Sequence, residues 1–425
     1  MKNLRLPYGK NNLNFEIDDK HLLGIFQPAL PPAAANALGE VERALREPIG
    51  SEPLEVLARG KQSAVVIASD HTRPVPSRIL MPAILRQLRL GSPDIDVTIL
   101  IATGCHRATS RAELIGKFGE DIVRNERIVI HDCDNENMLV ELGVLPSGGT
   151  LKLNKLAVQT DLLVAEGFIE PHFFAGFSGG RKSVLPGIAA RETVMANHCA
   201  EFIDSGFART GNLENNPIHQ DMLFAAKQAK LAFILNVVID EQKNIIRAFA
   251  GDAEAAHADG CAFLKQYCKL SVPQVDVVIT SNGGYPLDQN IYQSVKGMTS
   301  GEAVCRKNGV IIIAASCADG HGGEAFYKVL SKMCDAEELL QQIKAVPRHK
   351  TPPDQWQYQI LARILQNHKV IIVTSDCSHD LIRSMHMYAA DSVEVALSMA
   401  EQWVGKDYSA AVITDGVSGI VVKAV

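Results

Sequence analysis

The sequence has no apolar run approaching the roughly 18 residues of a membrane-spanning helix, and its first residues lack the apolar core of a signal peptide. Its nine cysteines form no CxxC pair, and the chain has no basic cluster. Acidic residues outnumber basic ones by 48 to 42, and the formal net charge of −6 disfavours binding to nucleic acid or anionic membranes. We therefore predict a cytoplasmic globular protein with reduced thiols and with no nucleic-acid or membrane partner.

Short β-branched runs recur along the 425 residues and alternate with helix-length segments. The clearest runs lie at 63–69, 95–103, 231–239, 275–281, 309–316, 369–375 and 410–415. Apolar runs of this length are typical of strands that are buried on both faces in parallel sheets. The sequence therefore predicts an α/β fold with two domains, each built on a mainly parallel sheet flanked by helices.

A polar segment with a proline at 270–276 predicts the boundary between the two domains, because a new series of strands follows it. The end of the chain, after 405–409, is strand-like and is predicted to return to the first domain. This interpretation gives a discontinuous N-terminal domain of residues 1–272 plus 408–425. Residues 275–405 form the C-terminal α/β domain.

Polar loops follow three of the predicted strands. They are SDHTRP at 69–74, TGCHR at 103–107 and SNGGYP at 281–286. Ligands of open α/β sheets bind at the carboxyl ends of the strands, so loops that carry His and Arg there predict one shared site. Asp70, Thr72 and Arg73 share one of these turns, a combination that suits a ribose or phosphate contact.

The segment 170–198 is the richest in chemically active residues and includes Glu170. Its GFSGGRKS string resembles a P-loop, but Arg181 replaces the last glycine and a proline interrupts the helix that a P-loop requires, which excludes an NTPase. Lys182 lies beside Arg181, and like-charge repulsion disfavours its ammonium form. Two interpretations remain open for Lys182, a nucleophilic or covalently modified lysine and a charged phosphate-binding lysine.

Three histidines, His106, His172 and His198, lie in polar or glycine-rich sequence. They are candidates for acid–base catalysis or metal ligation. No zinc signature is present, so a metal here would have few protein ligands. Arg73 and Lys296 are candidates to hold an anionic substrate.

Five motifs together resemble the nickel-dependent lactate racemase family. They are SDHTRPVP (69–76), TGCHR (103–107), EPHFFAGFSGGRKSVLPGIA (170–189), ANH (196–198) and YQSVKG (292–297). The resemblance implies a cofactor, the nickel-pincer nucleotide, a Ni(II)-pyridinium-3,5-bisthiocarboxylic acid mononucleotide. One sulfur arm of this nucleotide is joined to the lysine that matches Lys182. Nickel is held by two sulfurs, a ring carbon and the histidine that matches His198.

The resemblance also implies roles for other residues. The acid–base pair matches His106 and His172. The remaining matches contact the nucleotide (Asp70, His71, Thr72, Arg73) or the substrate (Arg73, Tyr292, Gln293, Lys296, Trp356). The implied reaction is racemisation of a small 2-hydroxy acid, most simply lactate. Hydride leaves to the cofactor and returns to the other face of a 2-keto acid, while the two histidines move the hydroxyl proton.

The implied active site lies in the cleft between the domains, and the implied partners are the small-molecule substrate and the enzymes that mature the cofactor. A racemase or epimerase of malate, an aromatic lactate or an aldonate would use the same catalytic residues. A non-catalytic nucleotide- or anion-binding protein and a Schiff-base lyase using Lys182 are further alternatives. The sequence leaves the oligomeric state open, a homo-oligomer included.

Overall fold

The computed structural model describes residues 1–424, and two six-stranded sheets organise this part of the chain. The strands are β1 Lys2–Tyr8, β2 Asn11–Ile17, β3 Leu22–Phe26, β4 Ser63–Ser69, β5 Asp96–Ala102, β6 Arg127–Ile130, β7 Leu139–Val144, β8 Thr150–Asn154, β9 Leu162–Phe168, β10 Pro171–His172, β11 Gly176–Phe177, β12 Leu231–Ile239, β13 Ile245–Gly251, β14 Lys269–Val272, β15 Val275–Ser281, β16 Cys305–Ala314, β17 Lys369–Val373, β18 Tyr388–Ala390, β19 Ala410–Ile413 and β20 Ile420–Lys423.

Helices cover the sheets and connect their strands. The α-helices are α1 Ala37–Arg46, α2 Leu54–Leu57, α3 Ser77–Gly91, α4 Arg111–Phe118, α5 Glu120–Asn125, α6 Lys155–Gln159, α7 Arg191–Asn197, α8 Ala200–Asp204, α9 Pro217–Gln228, α10 Ala255–Cys268, α11 Ile291–Glu302, α12 Glu324–Ser331, α13 Ala336–Lys344, α14 Gln355–Asn367, α15 His379–Ser384 and α16 Val393–Val404. Short 3₁₀ helices lie at Glu136–Met138, Gly180–Ser183 and Arg348–Lys350. None of the helices in residues 1–424 combines the length and apolar character needed to cross a bilayer.

The first sheet has the strand order β13-β12-β9-β4-β5-β6. Its neighbours are parallel except for β13, which pairs antiparallel with β12. The central strand β9 is buried at every position, because helices pack on both faces of the sheet. Buried apolar side chains on two faces are what a parallel sheet requires.

The second sheet has the order β18-β17-β16-β15-β19-β3, and all of its neighbours are parallel. Helices α11 and α14 pack on one face, and α16 packs on the other. The predicted fold class of two mainly parallel sheets flanked by helices is therefore confirmed.

The predicted division into domains is wrong at both ends of the chain. The sequence places β19 in the first domain, but this strand pairs with β15 and β3 in the second sheet. The β1–β2 hairpin also belongs there, since Leu6, Phe15 and Ile17 are buried against the second sheet. The physical reason is that β19 is buried at all four positions and needs a strand on each side. Of the two strands in residues 408–424, β19 therefore belongs to the second sheet, and β20 pairs outside it, with β14.

The carboxyl ends of the two sheets border a common cleft. Loops after β4, β9 and β12 line it from the first sheet, and loops after β15 and β19 line it from the second. Helix α14 connects the two halves at one side, where the Gln359 side-chain amide donates to the carbonyl oxygen of Ala200 over 2.8 Å. The cleft therefore lies where an α/β fold places its ligands.

Candidate active site

The cleft has a volume of about 1090 Å³. Its first-sheet wall includes His71, Thr72 and Arg73 after β4 and residues 168–173 after β9. Its second-sheet wall includes Lys296. The structure thus brings residues that are far apart in the sequence to one cleft.

Three cations surround one carboxyl group in this site. Burial raises the pKa of Glu170, and the charges of Arg73, Lys296 and Lys182 oppose that rise. Burial and then Arg73 lower the pKa of Lys296 to about 8, and Glu170 opposes this lowering. Lys296 and Gln293 are separated by three residues on α11, which places them on one helix face. A carboxylate ligand would neutralise part of this positive charge.

Lys182 is a weakly basic amine in this setting. Burial lowers its pKa well below the usual lysine range, and the Arg181 charge is the next cause. The like-charge effect predicted from the sequence is therefore confirmed, although burial is the larger contribution. Deprotonation makes the amine a nucleophile, which favours the covalent role over that of a charged phosphate ligand.

Arg181 and the glycines have a structural role. The Arg181 guanidinium is 1% exposed and donates to the carbonyl oxygens of Ala175 (2.7 Å) and Phe177 (2.8 Å). The Gly180 N–H donates to Oδ1 of Asn236 over 2.7 Å, and a Cβ on Gly179 would lie 2.6 Å from the same oxygen. The N–H of Gly180 is therefore engaged within the protein and is not available to a ligand.

His172 lies in an aromatic environment. Its ring is 5.0 Å from Phe173 and 4.6 Å from Phe174, measured between centroids. The Ala175 N–H donates to Nδ1 over 3.3 Å, which leaves Nε2 for exchange with a ligand. Burial lowers the pKa of His172 well below its usual value, and the positive charge of Lys182 is the next cause. The ring is therefore held neutral.

His198 ends α7 and has one nitrogen that is free for a ligand. Its Nδ1 lies 3.0 Å from the carbonyl oxygen of Val194, which can only accept, so Nδ1 carries the proton and Nε2 carries the lone pair. Burial lowers the pKa of His198 to about 3, followed by the charge of Lys182. Phe174 and Trp356 contact the ring edge-on, with centroids 5.2 and 5.1 Å away. A neutral imidazole oriented by a backbone carbonyl is typical of a metal ligand.

His106 has a polar environment instead. Its Nδ1 lies 2.8 Å from Oδ2 of the buried Asp70, and the hydroxyl of Thr72 donates to Oδ1 of the same carboxylate over 2.6 Å. Burial raises the pKa of Asp70, but the hydrogen bonds from His106 and Thr72 outweigh it and the net shift is downward. The Gly104 N–H donates to the carbonyl oxygen of Gly187 over 2.9 Å, which packs this loop on the Lys182 segment.

The predicted contact of Asp70 with the nucleotide stays a prediction. In the structure its side chain is 2% exposed, and both carboxylate oxygens are engaged by Thr72 and His106. Asp70 thus holds the imidazole of His106 in place. His71, Thr72 and Arg73 do line the cleft, and Nδ1 of His71 lies 3.1 Å from Oγ1 of Thr109.

The remaining predicted residues lie on the second domain. The Tyr292 hydroxyl donates to Oδ1 of Asp354 over 2.9 Å, and burial raises its pKa. Trp356, two residues beyond Asp354, reaches His198 of the first domain. The Gln293 side chain has no hydrogen-bond partner within residues 1–424, so its amide is free to bind a ligand.

Glu170 is a functional candidate to which the sequence motifs assign no role. It lies two residues before His172, and this proximity is the available signal. Its position among three cations depends on loops from both sheets, which the sequence does not bring together. Asp415 also lines the cleft and opposes the cations, since its charge raises the pKa of Glu170.

The chain matches known proteins over most of its length. Family models described as the lactate racemase N-terminal domain and the lactate racemase C-terminal domain match residues 8–211 and 270–421. A curated lactate racemase from Thermoanaerobacterium thermosaccharolyticum is 55% identical over 423 residues, which is 99% of each chain. Another, from Lactiplantibacillus plantarum, is 52% identical over 420 residues, 98% of this chain and 99% of its own length.

Solved structures agree with this assignment. The lactate racemase apoprotein from Thermoanaerobacterium thermosaccharolyticum matches with a TM-score of 0.96 at 55% identity, covering 99% of this chain and 100% of that one. A protein from Thermotoga maritima matches with a TM-score of 0.62 at 21% identity, covering 87% of this chain and 96% of that one, and shows the fold alone. The alternatives of a non-catalytic binding protein and a Schiff-base lyase fall away, and the chain belongs to the lactate racemase family of isomerases.

Proposed function

We propose that the enzyme interconverts the enantiomers of a small 2-hydroxy acid, with lactate as the preferred substrate. The observation that carries this proposal is the pair of cations Arg73 and Lys296 near Glu170 and the neutral imidazole of His172. Such a group offers a carboxylate its counter-charges next to a proton-exchanging side chain. The two curated lactate racemases at 55% and 52% identity support the choice of lactate.

The chain's residues fit the nickel-pincer nucleotide. Lys182 presents an amine whose ammonium form is disfavoured, as covalent attachment requires. His198 presents an unprotonated Nε2, as nickel ligation requires. Lys182 and His198 would hold the group, and His71, Thr72 and Arg73 would contact its nucleotide portion. When bound, this cofactor supplies a reversible acceptor for hydride from Cα of the substrate.

The protein's own contribution begins with the substrate carboxylate. Arg73 offers a planar fork, Lys296 a point charge and Gln293 a free amide, and together they would orient the substrate in the cleft. Tyr292 is held by Asp354 and precedes Gln293 on α11. Trp356 and Phe174 contact His198 and would exclude water from that side.

Two histidines would move the hydroxyl proton. His106 accepts it at Nε2, and the buried Asp70 stabilises the imidazolium that forms. His172 exchanges the proton for the other enantiomer, and the negative charge of a bound carboxylate offsets the cations that keep this ring neutral. Because a racemase catalyses both directions, each histidine takes the proton in one direction and returns it in the other.

The supply of cofactor and the cellular setting complete the proposal. We propose that dedicated maturation enzymes build the nickel-pincer nucleotide and load it onto the chain. All nine cysteines are free within the structure, and this supports a reducing, cytoplasmic compartment.

The proposal is tested by following optical rotation with each enantiomer of lactate, using protein from a strain that makes the cofactor. Racemisation should occur from each enantiomer. The variants His106→Ala and His172→Ala should abolish racemisation, while the cofactor mass stays on the protein. A panel of malate, aromatic lactates and aldonates runs in parallel. Activity on a panel member with none on lactate would favour the larger substrate, and inactivity of the loaded enzyme on all of them would reject the function.

A further inference from the structure

Two cysteines that the proposed reaction does not use lie at the carboxyl ends of neighbouring strands. Strands β5 and β6 are parallel, and Ile101 pairs with Ile130. Beyond the strand ends, the Thr103 hydroxyl donates to the carbonyl oxygen of His131 over 2.6 Å. Cys105 follows Thr103 by two residues and Cys133 follows His131 by two, so the two thiols lie on adjacent loops.

A fixed cation lies beside this pair. The guanidinium of Arg191 is held by both carboxylate oxygens of Asp134, over 2.8 and 2.7 Å. The backbone N–H of Arg191 donates to the carbonyl oxygen of Cys133 over 3.1 Å. Arg191 is therefore attached to the loop that carries one thiol and acts electrostatically on the other.

The two thiols are chemically unequal. A hydrogen bond from Cys133 and, to a smaller extent, the charge of Arg191 lower the pKa of Cys105. Burial and the charges of Asp134 and Asp354 raise it, but the net shift is downward. The pKa of Cys133 is raised, first by the same hydrogen bond and then by burial. A thiol of lowered pKa beside one of raised pKa is the arrangement of an attacking and a resolving cysteine.

We propose that Cys105 and Cys133 form a reversible oxidation site for hydroperoxides. The Cys105 thiolate attacks one oxygen of hydrogen peroxide, the O–O bond breaks, and with one proton the products are a sulfenic acid and water. The Cys133 thiol then attacks the sulfenic sulfur, an S–S bond forms, and a second water leaves. Two thiols lose two electrons and the peroxide gains them, and an external dithiol reverses the reaction.

The site adjoins the His106 loop, and this extends the inference to catalysis. Cys105 precedes His106, and Gly104 is hydrogen-bonded to Gly187. A disulfide would join this loop to the segment that follows β6 and limit the adjustment of the His106 ring against Asp70. This second part rests on the proposed function, whereas the oxidation chemistry does not.

The experiment uses the full-length reduced apoprotein, so it is independent of cofactor loading. The protein is treated with hydrogen peroxide, remaining thiols are alkylated, and peptides are mapped without reduction. We expect one linked peptide pair containing Cys105 and Cys133, lighter by two hydrogens than the sum of the reduced peptides, which disappears on reduction. Cys334 is exposed and serves as the control, and Cys334→Ser should leave the linkage unchanged.

A second variant keeps the test decisive. In Cys133→Ser no resolving thiol remains, so the Cys105 sulfenic acid should accumulate and be trapped by dimedone. If peroxide leaves Cys105 and Cys133 unlinked in the wild type, and they are alkylated no faster than Cys334, the proposal is overturned. This result decides the matter even if the variant fails to fold.

Loaded enzyme then tests the coupling to His106. Peroxide should lower wild-type turnover reversibly and should spare Cys133→Ser. A linked peptide without loss of turnover would reject the coupling and leave the oxidation site standing.

Discussion

The two proposed acid–base histidines lie in opposite environments, although both follow strands of the same sheet. His106 is bonded through Nδ1 to the carboxylate of Asp70, and its side chain is 46% exposed. His172 packs against Phe173 and Phe174, and burial and nearby cations depress its pKa. An anionic partner stabilises an imidazolium, whereas an apolar setting disfavours it. His106 therefore has a counter-charge beside it before substrate binds, whereas burial and nearby positive charges keep the ring of His172 neutral.

The comparison implies that substrate binding changes the surroundings of His172 more than those of His106. His106 has its own counter-charge in Asp70. His172 lacks one and is near Lys182, Lys296 and Arg73, so a bound carboxylate would raise its pKa.

The largest effect is expected at Lys182, on the apolar side. Lys182→Arg keeps a long basic side chain and removes the nucleophilic amine, so we expect complete loss of racemisation and of the covalent cofactor. Intact mass and nickel content check this, with Lys155→Arg on the surface as the control. A fully active Lys182→Arg enzyme would mean that the residue binds through its charge alone.

The polar side is tested by Asp70→Asn. An amide cannot stabilise the imidazolium of His106, so we expect kcat to fall by about 10²–10⁴-fold, the range of a general acid–base contribution. KM should change little, because Asp70 does not line the cleft. Steady-state kinetics measure both constants, and Asp96→Asn, an exposed acid on β5, is the control. A rise in KM with unchanged kcat would contradict the positioning role.

Glu170→Gln should have a smaller, pH-dependent effect. The pKa of Lys296 is about 8, so its charge is present below that pH and substrate affinity weakens as the pH rises through it. Glu170 raises this pKa, and its removal should shift the loss of affinity to lower pH. Profiles of KM against pH for the variant and for Glu141→Gln, an exposed control, measure the shift. Coincident profiles would remove Glu170 from the site.

The smallest effect concerns folding. Arg181 donates through Nε to Nδ1 of His219 over 2.9 Å, and burial, followed by Arg181, lowers the pKa of His219 to about 4. An imidazole kept neutral contributes stability above its unfolded pKa of about 6.5, and that stability is lost as the pH falls towards 4. His219→Gln should therefore flatten the fall of Tm over this range. The exposed His349→Gln serves as the control, and an unchanged slope in the variant would contradict the assignment.

The sequence predicts the sheets well because a strand buried on both faces is apolar along its whole length, as in β9. It fails on the partners of β19, since four buried residues reveal burial and not which neighbours provide it. It singles out His172, Lys182 and His198 because all three lie in the segment 170–198.

Other parts of the site depend on three-dimensional contacts. Asp70 appears in a loop that suits a ligand, but its two hydrogen bonds turn it inward to His106 and Thr72. The glycines of the P-loop-like string GFSGGRKS allow close packing on Asn236. Glu170 gains its importance only from cations on other loops.

The most direct test of the account uses lactate that carries deuterium at Cα, converted by the loaded enzyme in ordinary water. If hydrogen leaves and returns as hydride while His106 and His172 handle only the hydroxyl proton, both enantiomers will retain the deuterium. Mass spectrometry after separation of the enantiomers measures this retention. Replacement of deuterium by solvent hydrogen in the product enantiomer would show that a side chain removes a proton from Cα, and would contradict the proposed roles of the two histidines.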